Sequence, residues 1–245
     1  MKYTILILIS FTFFYSQIFA QQKTFSEPSE WVYYKTDQDE FMEPMYDKLF
    51  PIGFSKEGLF AYIVEPADEA CGCYFMNFII TNLKTDNVVW EFKYEGSLED
   101  YLEEQENMKS IWKKNKLLFE EKLNTFGIIQ QKSIKLEKFP VHYSGNGYKA
   151  TLNSYKKEKE DWGIEVVVQN QIWLTSSRSG KKMVFNEAFS TDNFILSANI
   201  SGFIKSPYED RIAIMLKQER RGWEGPPNVI SFQFIGAHLT DGNWK

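Results

Sequence analysis

The only two cysteines of the chain, Cys71 and Cys73, are separated by a single glycine. Two thiols this close can form a disulfide, exchange electrons with a partner, or supply two metal ligands. A ring closed across one residue is strained and easily reduced, as a redox pair requires. A metal site would need more ligands, and the only histidines are His142 and His238. We expect the cysteines to support local structure, as a disulfide or as packed thiols at the start of a strand.

Carboxylates are the second chemistry-bearing group. They are plentiful, and nothing in the sequence selects a pair; examples are Asp37, Asp39, Glu40, Glu65, Asp68 and Glu69. A glycoside hydrolase needs only two suitably separated carboxylates, so a carboxylate-dependent secreted hydrolase acting on glycans is the alternative function. Ser144 lies close to His142 in sequence but in no nucleophile motif. The sequence therefore predicts no catalytic residue, no metal site and no cofactor.

The third candidate is an interaction surface in the loop from Glu219 to Pro227. It contains Arg220, Arg221 and Trp223 among glycines and prolines that stiffen the backbone. Arginine and tryptophan are the residue types that most often anchor protein interfaces. The alternative is that the Trp223 ring folds over a sheet edge and covers it.

The first twenty residues predict the cellular location of the protein. Lys2 precedes an apolar core of roughly a dozen residues, which is short for a membrane span, and the composition turns polar at Gln21. We therefore expect residues 1–20 to be a cleaved signal peptide and the protein to be secreted or periplasmic. The alternative is an uncleaved N-terminal anchor. No stable membrane insertion is expected after cleavage.

The composition indicates a folded, β-rich protein. Aromatic residues make up 17% of the chain, and large flat side chains suit the pleated surface of a sheet. The formal net charge is −5, and no basic stripe appears, so no nucleic-acid partner is expected. The sequence makes no prediction about oligomeric state.

Hydrophobic periodicity divides the chain into a polar lead-in over 21–48 and a single β-rich domain over 49–245. Strand patterns alternate with turns along most of this domain; they include Ile164–Thr175, Val229–Leu239 and an imperfectly alternating stretch over 128–138. From 98 to 126, in contrast, apolar residues recur at three- and four-residue steps. This spacing predicts one long inserted α-helix, with a break near Asn115. The predicted fold is therefore mainly β, of antiparallel meanders arranged as a partial propeller or a sandwich, and the alternative is α+β.

Two stretches form a weak internal repeat. Residues 53–63 and 202–214 each contain a Gly-aromatic pair, a polar turn and a strand with alanine between large apolar residues. The first turn resembles one that opens blades in periplasmic Tol-associated propellers. The signal, the Gly53–Leu83 meander, the segment 123–128 and the strands from Ser206 onward resemble an uncharacterised bacterial family of predicted secreted proteins. This resemblance implies a propeller-like β fold and carries no activity.

From these observations we expect a secreted or periplasmic, non-enzymatic β-rich protein that binds a protein or glycan partner. The surface around Arg220, Arg221 and Trp223 is the candidate binding site.

Overall fold

The computed structural model describes residues 23–31, 43–69, 72–97, 106–240 and 244. Within these residues the protein is mainly antiparallel β, as the sequence predicted. The strands are β1 (Met45–Tyr46), β2 (Lys48–Phe54), β3 (Leu59–Glu65), β4 (Phe75–Asn82), β5 (Asn87–Glu95), β6 (Ile129–Gln130), β7 (Val141–Tyr143), β8 (Asn146–Lys159), β9 (Ile164–Ser176), β10 (Gly180–Ala188), β11 (Ile195–Lys205), β12 (Arg211–Arg220) and β13 (Val229–His238). The predicted signal peptide lies outside the described residues.

These strands form three sheets, which we name by their position. The helix-side sheet has the order β5-β4-β3-β2-β6, the middle sheet β1-β13-β12-β11, and the outer sheet β10-β9-β8-β7. Most neighbouring strands follow each other in sequence and are antiparallel; the exceptions are β6, which pairs antiparallel with β2, and β1, which pairs in parallel with β13. Turns of two to five residues connect most of the consecutive neighbours, which is why the local sequence pattern predicts them well; β3–β4 and β12–β13 have longer loops.

The sheets stack face to face because the middle sheet is apolar on both sides. One face, with Ala213 and Met215, packs against Phe60 of the helix-side sheet. The other face, with Ile212 and Ile214, packs against the outer sheet. Successive residues of one strand point to opposite faces, so β12 serves two cores at once.

The helical insertion covers the far face of the helix-side sheet. It consists of α1 (Met108–Lys114) and α2 (Lys116–Thr125). The prediction of one long helix over 98–126 needs correction, because Glu106 and Asn107 are not helical; residues 98–105 lie outside the described residues. Asn107 starts α1 by accepting the Ser110 N–H at 3.0 Å in a capping box.

The helical insertion also breaks where the sequence suggested. Asn115 separates α1 from α2, and its side-chain amide donates to the Ile111 carbonyl at 3.0 Å. Asparagine side chains compete in this way with backbone hydrogen bonds and so favour helix ends.

The internal repeat corresponds to two hairpins that face each other across the core between the helix-side and middle sheets. Gly53 and Gly202 both lie at register shifts, in β2 and β11 respectively. A Cβ at Gly53 would lie 2.1 Å from the Ile129 carbonyl oxygen, and one at Gly202 would lie 2.4 Å from that of Glu137. Both positions need glycine because a paired backbone lies this close: β6 at Gly53, and the Glu137 segment that bridges to Phe203 at Gly202.

Candidate functional site

The predicted interaction residues lie at one end of the sheet stack. Arg220 is the last residue of β12, and Arg221 and Trp223 lie in the loop that leads to β13. The Trp223 side chain is 80% exposed, so it does not cover a sheet edge. The alternative that this ring folds over a sheet edge is therefore wrong, and its role in binding stays a prediction.

A tight turn holds Trp223 in this exposed position. The Gly225 N–H donates to the Gly222 carbonyl at 3.2 Å. A Cβ on Gly222 would lie 2.4 Å from the carbonyl oxygens of both Gly225 and Pro227, so a larger residue does not fit. The backbone N–H of Trp223 donates to Glu69 Oε2 at 2.8 Å. The tryptophan is thus presented by a backbone that is fixed on two sides.

Arg220 and Glu69 form the base of this turn. The guanidinium of Arg220 donates to Glu69 Oε1, so a single carboxylate binds both the end of β12 and the turn. Asp47 lies in the same region, and burial raises the pKa of its carboxyl to about 6. The N–H of Ala67 and the charge of Arg220 act in the opposite direction. The positive charge of Arg220 therefore acts on two carboxyl groups, those of Glu69 and Asp47.

A second exposed tryptophan, which the sequence pattern did not single out, adjoins this loop. Trp162 lies at the tip of the β8–β9 hairpin, is 49% exposed, and carries the Arg221 guanidinium 4.5 Å from its ring centroid. The ring also meets Phe194 edge-on at 5.2 Å, and the Arg221 N–H donates to the Phe194 carbonyl. The sequence of 156–161 predicts only a charged loop. The Trp162-Gly163 pair that follows it was the available sequence signal for an aromatic residue at this hairpin tip.

We name this surface the Trp223 end and define it by Glu69, Trp162, Phe194, Arg220, Arg221 and Trp223. Its cations already have partners. Arg220 pairs with Glu69, and Arg221 stacks on Trp162. Nearby Lys159 lies 2.5 Å from Asp192, and this hydrogen bond lowers the pKa of that exposed carboxyl. The surface therefore offers aromatic and planar groups more than unpaired charge.

Of the carboxylates that the hydrolase alternative would use, the structure describes Glu65, Asp68 and Glu69, and it places Glu65 and Glu69 in structural contacts. Glu65 accepts from the Tyr74 hydroxyl at 2.5 Å and from the Met108 N–H at 3.0 Å, and it pairs with Lys48 at 3.1 Å. Burial and the Glu65 carboxylate raise the pKa of Tyr74. This cluster attaches the first turn of α1 to the end of β3. Asp37, Asp39 and Glu40 lie outside the described residues.

The histidines do not form a nucleophile–base pair with Ser144 in the described part of the chain. Ser144 occupies the β7–β8 turn with a φ of 49°, and His142 precedes it on β7. The other histidine, His238, pairs through Nε2 with Asp210 at 2.8 Å at the end of β13. Among the described residues, the Ser144 hydroxyl makes no hydrogen bond to either histidine.

The structure describes only one of the two cysteines, because Cys71 lies outside the described residues. Cys73, which precedes β4, is disulfide-bonded. Within the described ranges, no group of three or more histidine, cysteine or acidic side chains could hold a metal ion.

A groove of about 1030 Å³ lies between the stretch 23–31 and the segment 129–135. Two contacts hold its walls together. The Gln130 side chain binds both backbone groups of Ser26, at 2.9 and 2.7 Å, and the Trp31 indole donates to a backbone carbonyl on the opposite wall at 2.9 Å. Its lining mixes lysines and glutamates, so its charge does not indicate a ligand class.

Comparison with family models, with curated proteins and with solved structures finds no match to this chain. None of the described helices is long and apolar enough to cross a membrane.

Proposed function

We propose that this protein is a non-enzymatic module of the secreted or periplasmic space that binds a protein or glycan partner. The Trp223 end favours a protein. One observation carries the proposal: Trp223 is 80% exposed although its backbone is fixed by the Gly222–Gly225 turn and by Glu69. The exported location rests on the sequence of residues 1–20.

Stability does not explain an exposed tryptophan on a rigid turn. A large apolar side chain contributes to folding by leaving water, and Trp223 leaves most of its surface in water. In a binding site, however, a fixed aromatic anchor is useful, because little conformational freedom remains to be lost on association. Such anchors typically contribute about 2 kcal/mol or more to binding.

A protein partner is favoured over a charged polymer by the state of the cations. Arg220, Arg221 and Lys159 are each already engaged by a carboxylate or an aromatic ring. Binding to a polyanion relies on cations that can neutralise it. Protein interfaces instead use tryptophan and arginine side chains packed closely together. The hydrolase alternative gains no support, since Glu65 and Glu69 are held in ion pairs.

The test compares Trp223→Ala with Leu117→Ala. Leu117, on α2, is 84% exposed, so its substitution removes a comparable exposed apolar side chain elsewhere. The full chain is immobilised, and proteins retained from an envelope extract are quantified. We expect the same retained protein with wild type and Leu117→Ala, and at least a tenfold loss with Trp223→Ala. Equal retention by Trp223→Ala would overturn the proposal.

A further inference from the structure

The outer sheet has one face that no other layer covers among the described residues. Its inner face, with Ile172 and Leu174, packs on the middle sheet. On the opposite face Tyr155 is 48% exposed and Met183 is 46% exposed. This open face is separate from the Trp223 end, so an inference about it does not depend on the proposed function.

The strand register arranges the side chains of this face in rows across β8, β9 and β10. The three central rows are Thr151–Trp173–Met183, Asn153–Gln171–Asn186 and Tyr155–Gln169–Ala188. The middle row thus holds three amides. Trp173 stands in the row on one side of it, and Tyr155 in the row on the other.

Hydrogen bonds between rows confirm that these side chains share a face. The Gln169 amide donates to Asn186 Oδ1 at 2.8 Å, and the Tyr155 hydroxyl lies 3.4 Å from Gln171 Oε1. Gln171 and Asn186 of the middle row are therefore held in place, and their amide nitrogens are not used by these two bonds. An amide both donates and accepts, as a sugar hydroxyl does.

Charge distinguishes this face from an ordinary solvated one. The chain is acidic overall, yet none of the nine positions in the three central rows carries a charge. The next row contains Lys149 and Lys181. The Lys181 amine lies over the Trp173 ring, 4.2 Å from its centroid, so this cation covers one aromatic ring and leaves the amide row uncharged. An uncharged ligand matches the uncharged centre.

We propose that this face binds an uncharged polysaccharide strand that runs along β8 and β9. Trp173 and Tyr155 stand four residue steps apart along the strand direction, or roughly 13 Å, the length of about two to three hexose rings. Each aromatic ring stacks on the apolar face of one sugar. The amides of Asn153, Gln171 and Asn186 bind the hydroxyls between them.

The position of Lys181 leads to the prediction that removing its side chain strengthens polysaccharide binding. Its amine occupies the face of the Trp173 ring, and a sugar that stacks there must displace it. Cation–π contacts at exposed sites contribute roughly 0.5–1 kcal/mol. Removing the amine in Lys181→Ala should therefore tighten binding by about two- to fivefold rather than weaken it.

The experiment is affinity electrophoresis of the full chain in gels that contain hydroxyethylcellulose, xylan or mannan, with alginate as the anionic comparison. We expect retardation in at least one neutral gel. Trp173→Ala should weaken it at least tenfold and Gln171→Ala about threefold, whereas Trp173→Phe should keep most of it. Circular dichroism of each variant checks that the fold is intact.

Two matched controls test whether the Trp173 ring itself is responsible for the retardation. Met183→Ala removes an exposed apolar side chain from the same row as Trp173 and should change retardation less than twofold. Trp223→Ala should not change it, because that residue belongs to the other surface. No retardation in any neutral gel, retardation by alginate alone, or equal retardation of folded Trp173→Ala would overturn the proposal.

Discussion

The aromatic cluster beneath the helices and the aromatic cluster at the Trp223 end contain the same residue types but differ in how much of their surface is exposed to water. Phe119 of α2 is fully buried and lies edge-on to Phe78 and Phe92, each 5.0 Å away. Trp162 and Trp223, in contrast, are 49% and 80% exposed. The first cluster removes its surface from water on folding, and the second does not.

This difference teaches which aromatic residues the fold explains. Burial of large side chains accounts for Phe78 and Phe119, because it supplies the main driving force for folding. It does not account for Trp223, whose position is nevertheless fixed by a tight turn and by Glu69. We therefore predict that substitutions in the buried cluster reduce stability, and that substitutions at the open end affect binding.

The largest expected effect is that of Phe119→Ala. Removing this buried ring leaves a cavity between α2 and the helix-side sheet and should lower the free energy of unfolding by about 3–5 kcal/mol. Leu117→Ala, two residues earlier on the same helix but 84% exposed, should change it by less than about 0.5 kcal/mol. Urea unfolding followed by fluorescence measures both. Similar losses from the two variants would contradict the assignment of the buried cluster.

A smaller effect is expected where the helix-side sheet meets the middle sheet. A Cβ on Gly236 would lie 1.8 Å from the carbonyl oxygen of Leu83. This oxygen belongs to the backbone, so it cannot rotate away as a side chain could. Gly236→Ala should force the sheets apart and cost about 2–3 kcal/mol. Gly147→Ala is the control, since its Cβ would have only ordinary contacts at 3.5 Å with His142. A neutral Gly236→Ala in thermal unfolding would show that the two sheets do not approach this closely.

The pH dependence of stability tests the same junction. Burial raises the pKa of Asp86 to about 6, although the Gly236 N–H and Arg211 act against it. An acid whose pKa is higher in the folded state destabilises the fold progressively as pH rises from about 4 to about 6. Asp86→Asn keeps the acceptor for Gly236 and tolerates the left-handed backbone there, where φ is 58°.

We therefore expect Asp86→Asn to be more stable than wild type at pH 7, by on the order of 1–2 kcal/mol, and equal to it near pH 4. Urea unfolding at several pH values measures this difference. A difference that stays constant with pH would show that the carboxyl does not titrate as stated. Asp192→Asn is the control of opposite sign, because its partner Lys159 lowers the pKa of that carboxyl.

The smallest effect on stability is expected for Trp223→Ala. Because the side chain is exposed, its removal should change the free energy of unfolding by less than about 0.5 kcal/mol. Thermal unfolding of the variant beside wild type measures this. A loss above about 2 kcal/mol would place Trp223 among the structural aromatics and erase the contrast with Phe119.

Local patterns in the sequence predicted most of the sheet content. Ile164–Ser176 and Val229–His238 agree with the predicted strands to within one residue at each end. The Gly53 and Gly202 repeat corresponds to matching hairpins, because the pattern depends on residues close in sequence. Pairing between distant segments left no such pattern: the parallel contact of Met45–Tyr46 with β13 was not predictable. The stretch 128–138 was expected to be a strand, but only Ile129–Gln130 forms one.

The candidate site was predictable only through its residue types. Arginine and tryptophan beside glycines and prolines identified Arg220, Arg221 and Trp223. The contribution of Trp162 depends on a hairpin tip meeting a loop some sixty residues further along, and no local pattern records that contact. The amide row of the outer sheet was missed for a related reason, since alternation predicts a solvated face without showing which side chains become neighbours.

The most direct test of the Trp223 end as a binding surface is site-specific photo-crosslinking at position 223. A benzophenone amino acid is placed at 223 in one full-length chain and at 117 in another, and both are irradiated in cells that produce the chain. We predict a discrete adduct with one partner protein at 223 and none at 117, and Arg221→Ala should reduce the adduct. No adduct at 223, or the same adduct at both positions, would contradict the claim that the Trp223 end is the binding surface.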